Sequence, residues 1–367
     1  MTMTCYSEDY RTARTRLLSA AQALGGWTHE AIAHPLAGAD GGPLYMDVLW
    51  RGPQDATRVL TISSGTHGVE GFCGSALQLQ LVEDAPALPP DMALMLVHAV
   101  NPYGFSHLRR VNEDNVDLNR NFVDFTADTP ENDAYAAIDA LLNPAELPDG
   151  AMAAITAELD RMRATTDYLS MLKAVSGGQY AFPRGVQYGG SAPAWSRRTV
   201  EALWARRLAD RRVVVQIDLH SGLGASGVGM LMMAADEGEP HKALTAEWFG
   251  PMLVTPRPRS RADTILGGYM NQAMETQLAG VRVAPMTLEY GTEPSEVVLA
   301  AMIEDNWLVH HGDPAGERGR RIKARLLRAF YPADPSWRAA VLARGREVFA
   351  QALSGLGAPD LEERLTP

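Results

Sequence analysis

The chain of 367 residues is 46% hydrophobic and 21% charged, with glycine and proline scattered along its length. That is a globular composition, long enough for one large α/β domain or two smaller ones, and it excludes collagen, coiled coil, disorder and a disulfide-stapled miniprotein. A formal net charge of −11 opposes binding to a phosphate backbone or an anionic membrane surface, so neither nucleic acid nor a membrane is an expected partner.

The first residues, MTMTCYSEDYRTARTRL, carry no basic stretch followed by an apolar core, so no secretory signal is expected. With only Cys5 and Cys73, no disulfide framework is implied, and a cytoplasmic location is the expectation. Short apolar runs at 59–63, 93–100, 213–219 and 281–288 are each followed by a glycine-rich turn or polar loop, which predicts buried strands of a largely parallel sheet. The longest run, 92–100, is interrupted by His98 and is far short of a membrane span. Helical patterns at 74–82, 151–172, 196–209 and 269–278 alternate with the strands. The fold class predicted is α/β, a mixed, largely parallel central sheet flanked by helices. Residues 1–312 read as that domain, with a helical insertion over about 125–205 that ends in the loop GGQYAFPRGVQYGG. Residues 313–367 read as a C-terminal helical extension packed on the same domain, its basic run a solvated face.

The run VLTISS leads into GTHGVEGFCGSALQLQ, which puts His67 and Glu70 in a glycine-rich turn at a strand's carboxyl end, where open α/β sheets place their ligand sites. In a tight turn an imidazole and a carboxylate three residues apart can meet at one metal ion, and both suit zinc at about 2.0–2.2 Å. The spacing alone is unspecific in a chain with nine histidines. A second signal is His220, which ends the run 213–219 in QIDLHSGLG, with Asp218 on the same side of the strand by period-two alternation. Two histidines and one glutamate leave a position open for water, as a catalytic zinc requires. The alternative for His220 is a hydrogen-bonded histidine capping a strand.

The third signal is NPYGFSHLRRVNEDNVDLNRNF, residues 101–122. So many Arg, Asn and Asp around a short expected strand, VDL, are hard to explain as core, since an unpaired buried guanidinium is costly. Arg120 with Asn119 could bind a substrate carboxylate, the arginine through paired hydrogen bonds. Arg109 or Arg110 could face the charge that develops on an attacked carbonyl; a structural salt-bridge cluster is the alternative. Glu289 follows the apolar run VRVAPMTL, so its carboxylate stands at the same strand-end edge, where partial burial raises its pKa toward proton transfer.

His67-Gly-Val-Glu70, Asn101-Pro-Tyr-Gly104, Val116-Asp-Leu-Asn-Arg-Asn-Phe122, Asp218-Leu-His220 and Thr287-Leu-Glu289 occur in the order and approximate spacing of the zinc carboxypeptidase superfamily. That superfamily also contains the succinylglutamate desuccinylase and aspartoacylase amidohydrolases, and the resemblance covers residues 45 to about 300. It implies one Zn2+ per chain on His67, Glu70 and His220, a carboxylate held by Asn119 and Arg120, and Glu289 as general base. It further implies Asp117 as the partner that orients His67, Arg110 as the oxyanion-stabilising arginine with Arg109 as neighbouring candidate, and Tyr269 as the tyrosine that closes over substrate. Peptide-cleaving members usually carry an arginine before the zinc-binding glutamate, where this chain has Val69. His67-Gly68 resembles the amidohydrolase branch, whereas NPYG and VDLNRNF resemble the carboxypeptidase branch.

The function so implied is a zinc-dependent hydrolase that cleaves an amide bond beside a free carboxylate in a small molecule or short peptide. Alternatives are a non-catalytic metal- or ligand-binding module of the same fold and a zinc esterase or lactonase. Cys73 has no adjacent base and reads as a small buried residue. His98, His310 and His311 read as structural histidines, His107 as a residue near the arginine cluster, and GMLMMAAD as a core strand.

Overall fold

In the computed structural model, which describes residues 3–233, 240–250, 253–254 and 267–361, the chain begins with helix α1 (Tyr10–Leu24), capped by the Asp9 carboxylate on the Thr12 N–H. Then come strands β1 (Trp27–Ala37), β2 (Pro43–Arg51) and β3 (Arg58–Ser64), helix α2 (Gly71–Asp84), strand β4 (Met92–His98) and helix α3 (Pro102–Ser106). Helices α4 (Asp133–Ala136), α5 (Asp139–Leu142), α6 (Ala151–Thr165) and α7 (Tyr168–Ser176) fill the expected insertion, followed by α8 (Trp195–Arg207). The second half supplies β5 (Val213–Ser226), β6 (Gly229–Met232), α9 (Pro240–Phe249), β7 (Leu253–Val254), α10 (Met270–Gln277) and β8 (Arg282–Gly291). Helices α11 (Ser295–His311), α12 (Glu317–Phe330) and α13 (Pro335–Leu356) complete it.

The strands form one eight-stranded sheet of order β1-β2-β4-β3-β5-β8-β6-β7, parallel through β4, β3, β5 and β8 and antiparallel at β1–β2, β2–β4 and β6–β8. Because side chains alternate along a strand, each central strand feeds two cores. Leu60, Ile62, Leu96, Val215 and Ile217 pack with α1, α2 and α13 on one face. Val59, Met95, Val97 and Val214 pack with α8 and α10 on the other. The C-terminal helix is therefore part of the core, through buried Trp337, Val341, Val348 and Phe349. The insertion has its own small core, in which Tyr135, Leu142 and Leu159 meet Leu299 and Ile303 of α11. No described helix is long and apolar enough to cross a membrane.

Several expectations are corrected. The VDL segment is not a strand: the Asp117 carboxylate accepts the Asn119 N–H at 3.0 Å and starts a short 3-10 turn, Leu118–Arg120, a local bond that competes with strand pairing. The helix expected over 151–172 breaks at Thr166, which is extended, and Asp167 recaps the chain on the Ser170 N–H. The antiparallel edge β1–β2 was not anticipated, because β1 is mostly exposed and shows little apolar alternation. β5 continues past Leu219 to Ser226. His310 and His311 form the last turn of α11. The methionine run is a strand over Gly229–Met232; residues 234–236 of that run and 362–367 of the C-terminal extension lie outside the described residues.

Candidate metal centre

The chain leaves β3 for α2 and β4 on one side, then returns to β5 on the other side of β3. The connections thus diverge at the carboxyl ends of β3 and β5, where a crevice opens. His67 follows β3, and His220 lies within β5 opposite Glu289 of β8 in the parallel ladder. The turn that carries His67 and Glu70 is pressed tightly onto its neighbour. A Cβ on Gly68 would fall 2.0 Å from the Gly104 carbonyl carbon, so only glycine fits there. The N–H groups of Gly68 and Val69 donate to the carbonyls of Arg110 and Arg109 at 3.0 and 2.8 Å.

This turn aims His67 and Glu70 at His220. Glu70 Oε1 lies 2.9 Å from His67 Nδ1, and Oε2 lies 2.9 Å from His220 Nδ1. One ligand atom from each residue lies within 4.8 Å of the others, and all three residues are buried. The far nitrogens face carboxylates: His67 Nε2 is 2.9 Å from Asp117 Oδ1, and His220 Nε2 is 2.5 Å from Asp218 Oδ2. With each Nε2 held on an aspartate, both Nδ1 atoms face the Glu70 side, where a bound cation would take the place of a proton, the arrangement that second partners give metal-ligating histidines. Asp218 is held in turn by the hydroxyls of Ser63 at 2.6 Å and Thr66 at 3.0 Å.

Electrostatics support a cation here. Burial alone would raise the Glu70 carboxyl, but the imidazoles, His67 foremost, hold it well below the usual range. Glu289 goes the other way: burial, then the Glu70 charge, pushes it up to about 8, although His220, the Leu223 N–H and Arg110 oppose this. Its Oε1 accepts the Leu223 N–H at 3.1 Å. Three buried carboxylates, Glu70, Asp117 and Asp218, gather here with one part-buried guanidinium, Arg110, beside the protonated Glu289, and a dication would offset the excess negative charge. His67 Nδ1, though near Glu70, lacks hydrogen-bond geometry and is a buried nitrogen with no hydrogen-bond partner. The donor set and this orphaned nitrogen both fit a zinc-like ion.

The other expected residues divide. Arg110 donates to Asp117 Oδ2, and its Nε is 3.7 Å from Glu70 Oε1, so it lines the centre. Asn119 Nδ2 lies 3.5 Å from His220 Nε2, and its Oδ1 accepts the Met270 N–H at 3.2 Å. The Arg120 guanidinium lies 4.9 Å from the ring centre of Tyr269, which brings those two residues together. Its Nε and Nη2 already donate to the Ser176 carbonyl at 3.2 and 2.6 Å, and Nη1 donates to Asn119 O at 2.7 Å. Two of its five N–H groups remain without a protein acceptor among the described residues. Gly268 (φ +79°) lets the chain pass the Arg120 carbonyl, which a Cβ would approach to 2.6 Å.

Arg109 is turned away: it bonds Asn115 Oδ1 at 2.8 Å and faces Asp305 at 3.4 Å. His107 stacks on Tyr103 and contacts Ala37 O at 3.2 Å, and His98 contacts the Ser75 hydroxyl at 3.0 Å. Cys73 is buried in α2 with its thiol pushed up by burial. The orienting role of Asp218 was missed, although its period-two relation to His220 was legible. Ser63 and Thr66, which hold Asp218, had no signal in the sequence.

Fold and site together define an α/β protein with a buried His-Glu-His group and a proton-holding carboxyl at the carboxyl edge of its sheet. The chain belongs to the family described as protein of unknown function DUF2817, whose profile matches residues 6–344. Among solved structures it is similar to a metallo-carboxypeptidase from Pseudomonas aeruginosa in complex with (2-guanidinoethylmercapto)succinic acid, at 16% identity over 90% of this chain and 68% of that one, TM-score 0.39. It is also similar to carboxypeptidase A from Helicoverpa armigera, at 14% identity over 88% and 74% of the two chains, TM-score 0.41. A protein from Shewanella amazonensis, provisionally placed in the succinylglutamate desuccinylase/aspartoacylase family, is 21% identical over 78% and 72%, TM-score 0.38. No curated protein matches the chain.

Proposed function

We propose that this protein is a zinc-dependent hydrolase that cleaves an amide bond adjacent to a free carboxylate, in a short peptide or an N-acyl amino acid. The observation that carries the reading is the convergence of His67, Glu70 and His220 beside a buried carboxyl, Glu289, that holds its proton up to about pH 8. His67, Glu70 and His220 would hold the ion; when bound, it would polarise the substrate carbonyl and acidify water. Glu289, whose proton affinity a bound cation would lower, would take a proton from the attacking water and return it to the leaving amine. Arg110, held on Asp117, presents fixed positive charge to the carbonyl oxygen as negative charge develops there. The two uncommitted N–H groups of Arg120 read the substrate carboxylate, with Asn119 beside them and Tyr269 stacked on the guanidinium.

A solely metal-binding module would have no use for a buried carboxyl that is costly to ionise, so Glu289 favours catalysis. The test is metal analysis of the purified protein joined to a screen of dipeptides, N-acyl amino acids and matched esters, repeated with chelator. Zinc near one per chain and chelator-sensitive hydrolysis of carboxylate-bearing amides are expected. Hydrolysis that survives complete metal removal would overturn the reading, and preference for matched esters would redirect it to an esterase.

A further inference from the structure

We propose that Lys323 and Asp305, together with Arg109, are positioning residues for the candidate metal centre: they clamp the segment 108–112, whose carbonyls hold the turn that carries His67 and Glu70. The inference rests on the reading of His67, Glu70 and His220 as metal ligands.

Asp305 of α11 and Lys323 of α12 meet at 2.6 Å, and Arg109 Nε faces the same carboxylate at 3.4 Å. Asp305 and Arg109 are 4% and 5% exposed. Two cations on one carboxylate away from water are costly unless their remaining N–H groups find acceptors. Each finds a further acceptor: Lys323 Nζ donates to the Leu108 carbonyl at 3.0 Å, and Arg109 Nη2 donates to Asn115 Oδ1 at 2.8 Å. Both acceptors belong to residues in left-handed backbone, Leu108 with φ +48° and Asn115 with φ +63°. A leucine keeps that conformation only where its surroundings over-determine it, and the Lys323 bond falls on its own carbonyl. Asn115 is fixed from its other side, donating through Nδ2 to the carbonyls of Pro183 and Gly185, each at 3.1 Å.

The consequence lies one and two residues further on. The carbonyls of Arg109 and Arg110 accept the N–H groups of Val69 and Gly68, directly between His67 and Glu70. The Arg110 side chain reaches Asp117, the partner of His67. The charge cluster therefore fixes both the backbone and one orienting carboxylate of the centre, from helices that contribute no ligand. It also gives Arg109, which does not line the centre, a defined role.

The test compares Lys323→Met, which keeps the aliphatic stem and removes the charge, with Glu304→Gln, which removes a surface partner of Arg325 one residue from Asp305. Zinc affinity is measured by competition with a chromophoric chelator, and amide exchange of the 66–72 peptide is measured in metal-free protein. Lys323→Met should weaken zinc about ten-fold, the scale seen when outer partners of metal ligands are removed, and speed exchange at Gly68 and Val69. Exchange in the β1–β2 hairpin should stay unchanged, Lys323→Arg should restore much of the affinity, and Glu304→Gln should change neither readout. If Lys323→Met does not fold, Arg109→Lys is measured the same way with the same expectation. Wild-type zinc affinity and wild-type exchange at 66–72 in whichever of these two variants folds would overturn the clamp, even if melting temperature falls. Failure of wild-type protein to bind zinc would instead remove the metal reading, and the exchange measurement would still decide the clamp.

Discussion

His220 and Glu289 are directly opposed across the parallel β5–β8 ladder, so one pair of neighbouring strands delivers a candidate metal ligand and a candidate proton carrier to the same sheet edge. Replacing Glu289 with Gln keeps the shape and removes the proton function. Turnover on whatever amide the screen identifies should fall about a hundred- to ten-thousand-fold, the usual contribution of a general base. Zinc content should stay near that of wild type, since Glu289 is not among the three candidate ligands. Steady-state kinetics with parallel metal analysis decide it, and unaltered turnover would remove the assigned mechanism.

The same carboxyl gives a pH dependence whose sign is fixed. Glu289 is raised from an ordinary value near 4.5 to about 8, so the folded metal-free protein binds a proton that the unfolded chain has released. Its stabilising contribution is complete below about 4.5 and is lost as pH rises through about 8. Glu70 has the opposite sign: held low, it contributes above its ordinary pKa and loses that contribution as pH falls. Urea unfolding in chelator should therefore show wild type losing stability more steeply than Glu289→Gln between about pH 5 and pH 8.5. Parallel pH profiles would show that Glu289 titrates normally.

Asp218 and Asp117 should behave alike, because each faces the far nitrogen of one candidate ligand. Asp218→Asn and Asp117→Asn should each weaken zinc about 10- to 100-fold. Isothermal titration of chelated protein measures this, and wild-type affinity in both would mean the aspartates do not orient the imidazoles. Asp117→Asn should also lower turnover further than its metal affinity accounts for, since it releases Arg110.

Gly68 leaves no room for a methyl group against the Gly104 carbonyl carbon at 2.0 Å. Gly68→Ala should cost about 1–3 kcal/mol in stability, as overpacking does, and should weaken metal binding, because the turn can move only with its ligands. Chemical denaturation beside zinc titration reports both, and an unaffected variant would show that the turn is looser than it looks.

Arg120 provides a separate test of substrate class. Arg120→Lys loses the planar fork and the stacking on Tyr269. KM for a carboxylate-bearing amide should rise about ten-fold or more, the effect of losing a charge-assisted hydrogen bond, while an amidated analogue is handled like wild type. Equal effects on both substrates would assign Arg120 to structure through its bonds to Ser176 O and Asn119 O.

Much of this was legible in the chain before folding. Apolar runs of strand length alternating with helical periods fix a covered, largely parallel sheet, and strand-end positions fix where polar residues gather. His67, Glu70, His220 and Glu289 stand at such ends. The linear order could not decide side-chain direction in irregular backbone. Arg109 and Arg110 are adjacent and chemically alike, yet a left-handed Leu108 and a buried Asp305 almost two hundred residues away turn one from the centre and leave the other beside it. Asp117 looked like part of a strand because periodicity ignores the bond its own side chain makes to the backbone. Local patterns determined which chemistry was present; contacts between distant segments, which depend on three-dimensional closure and burial, decided which groups share a charge, which are orphaned and which are merely structural.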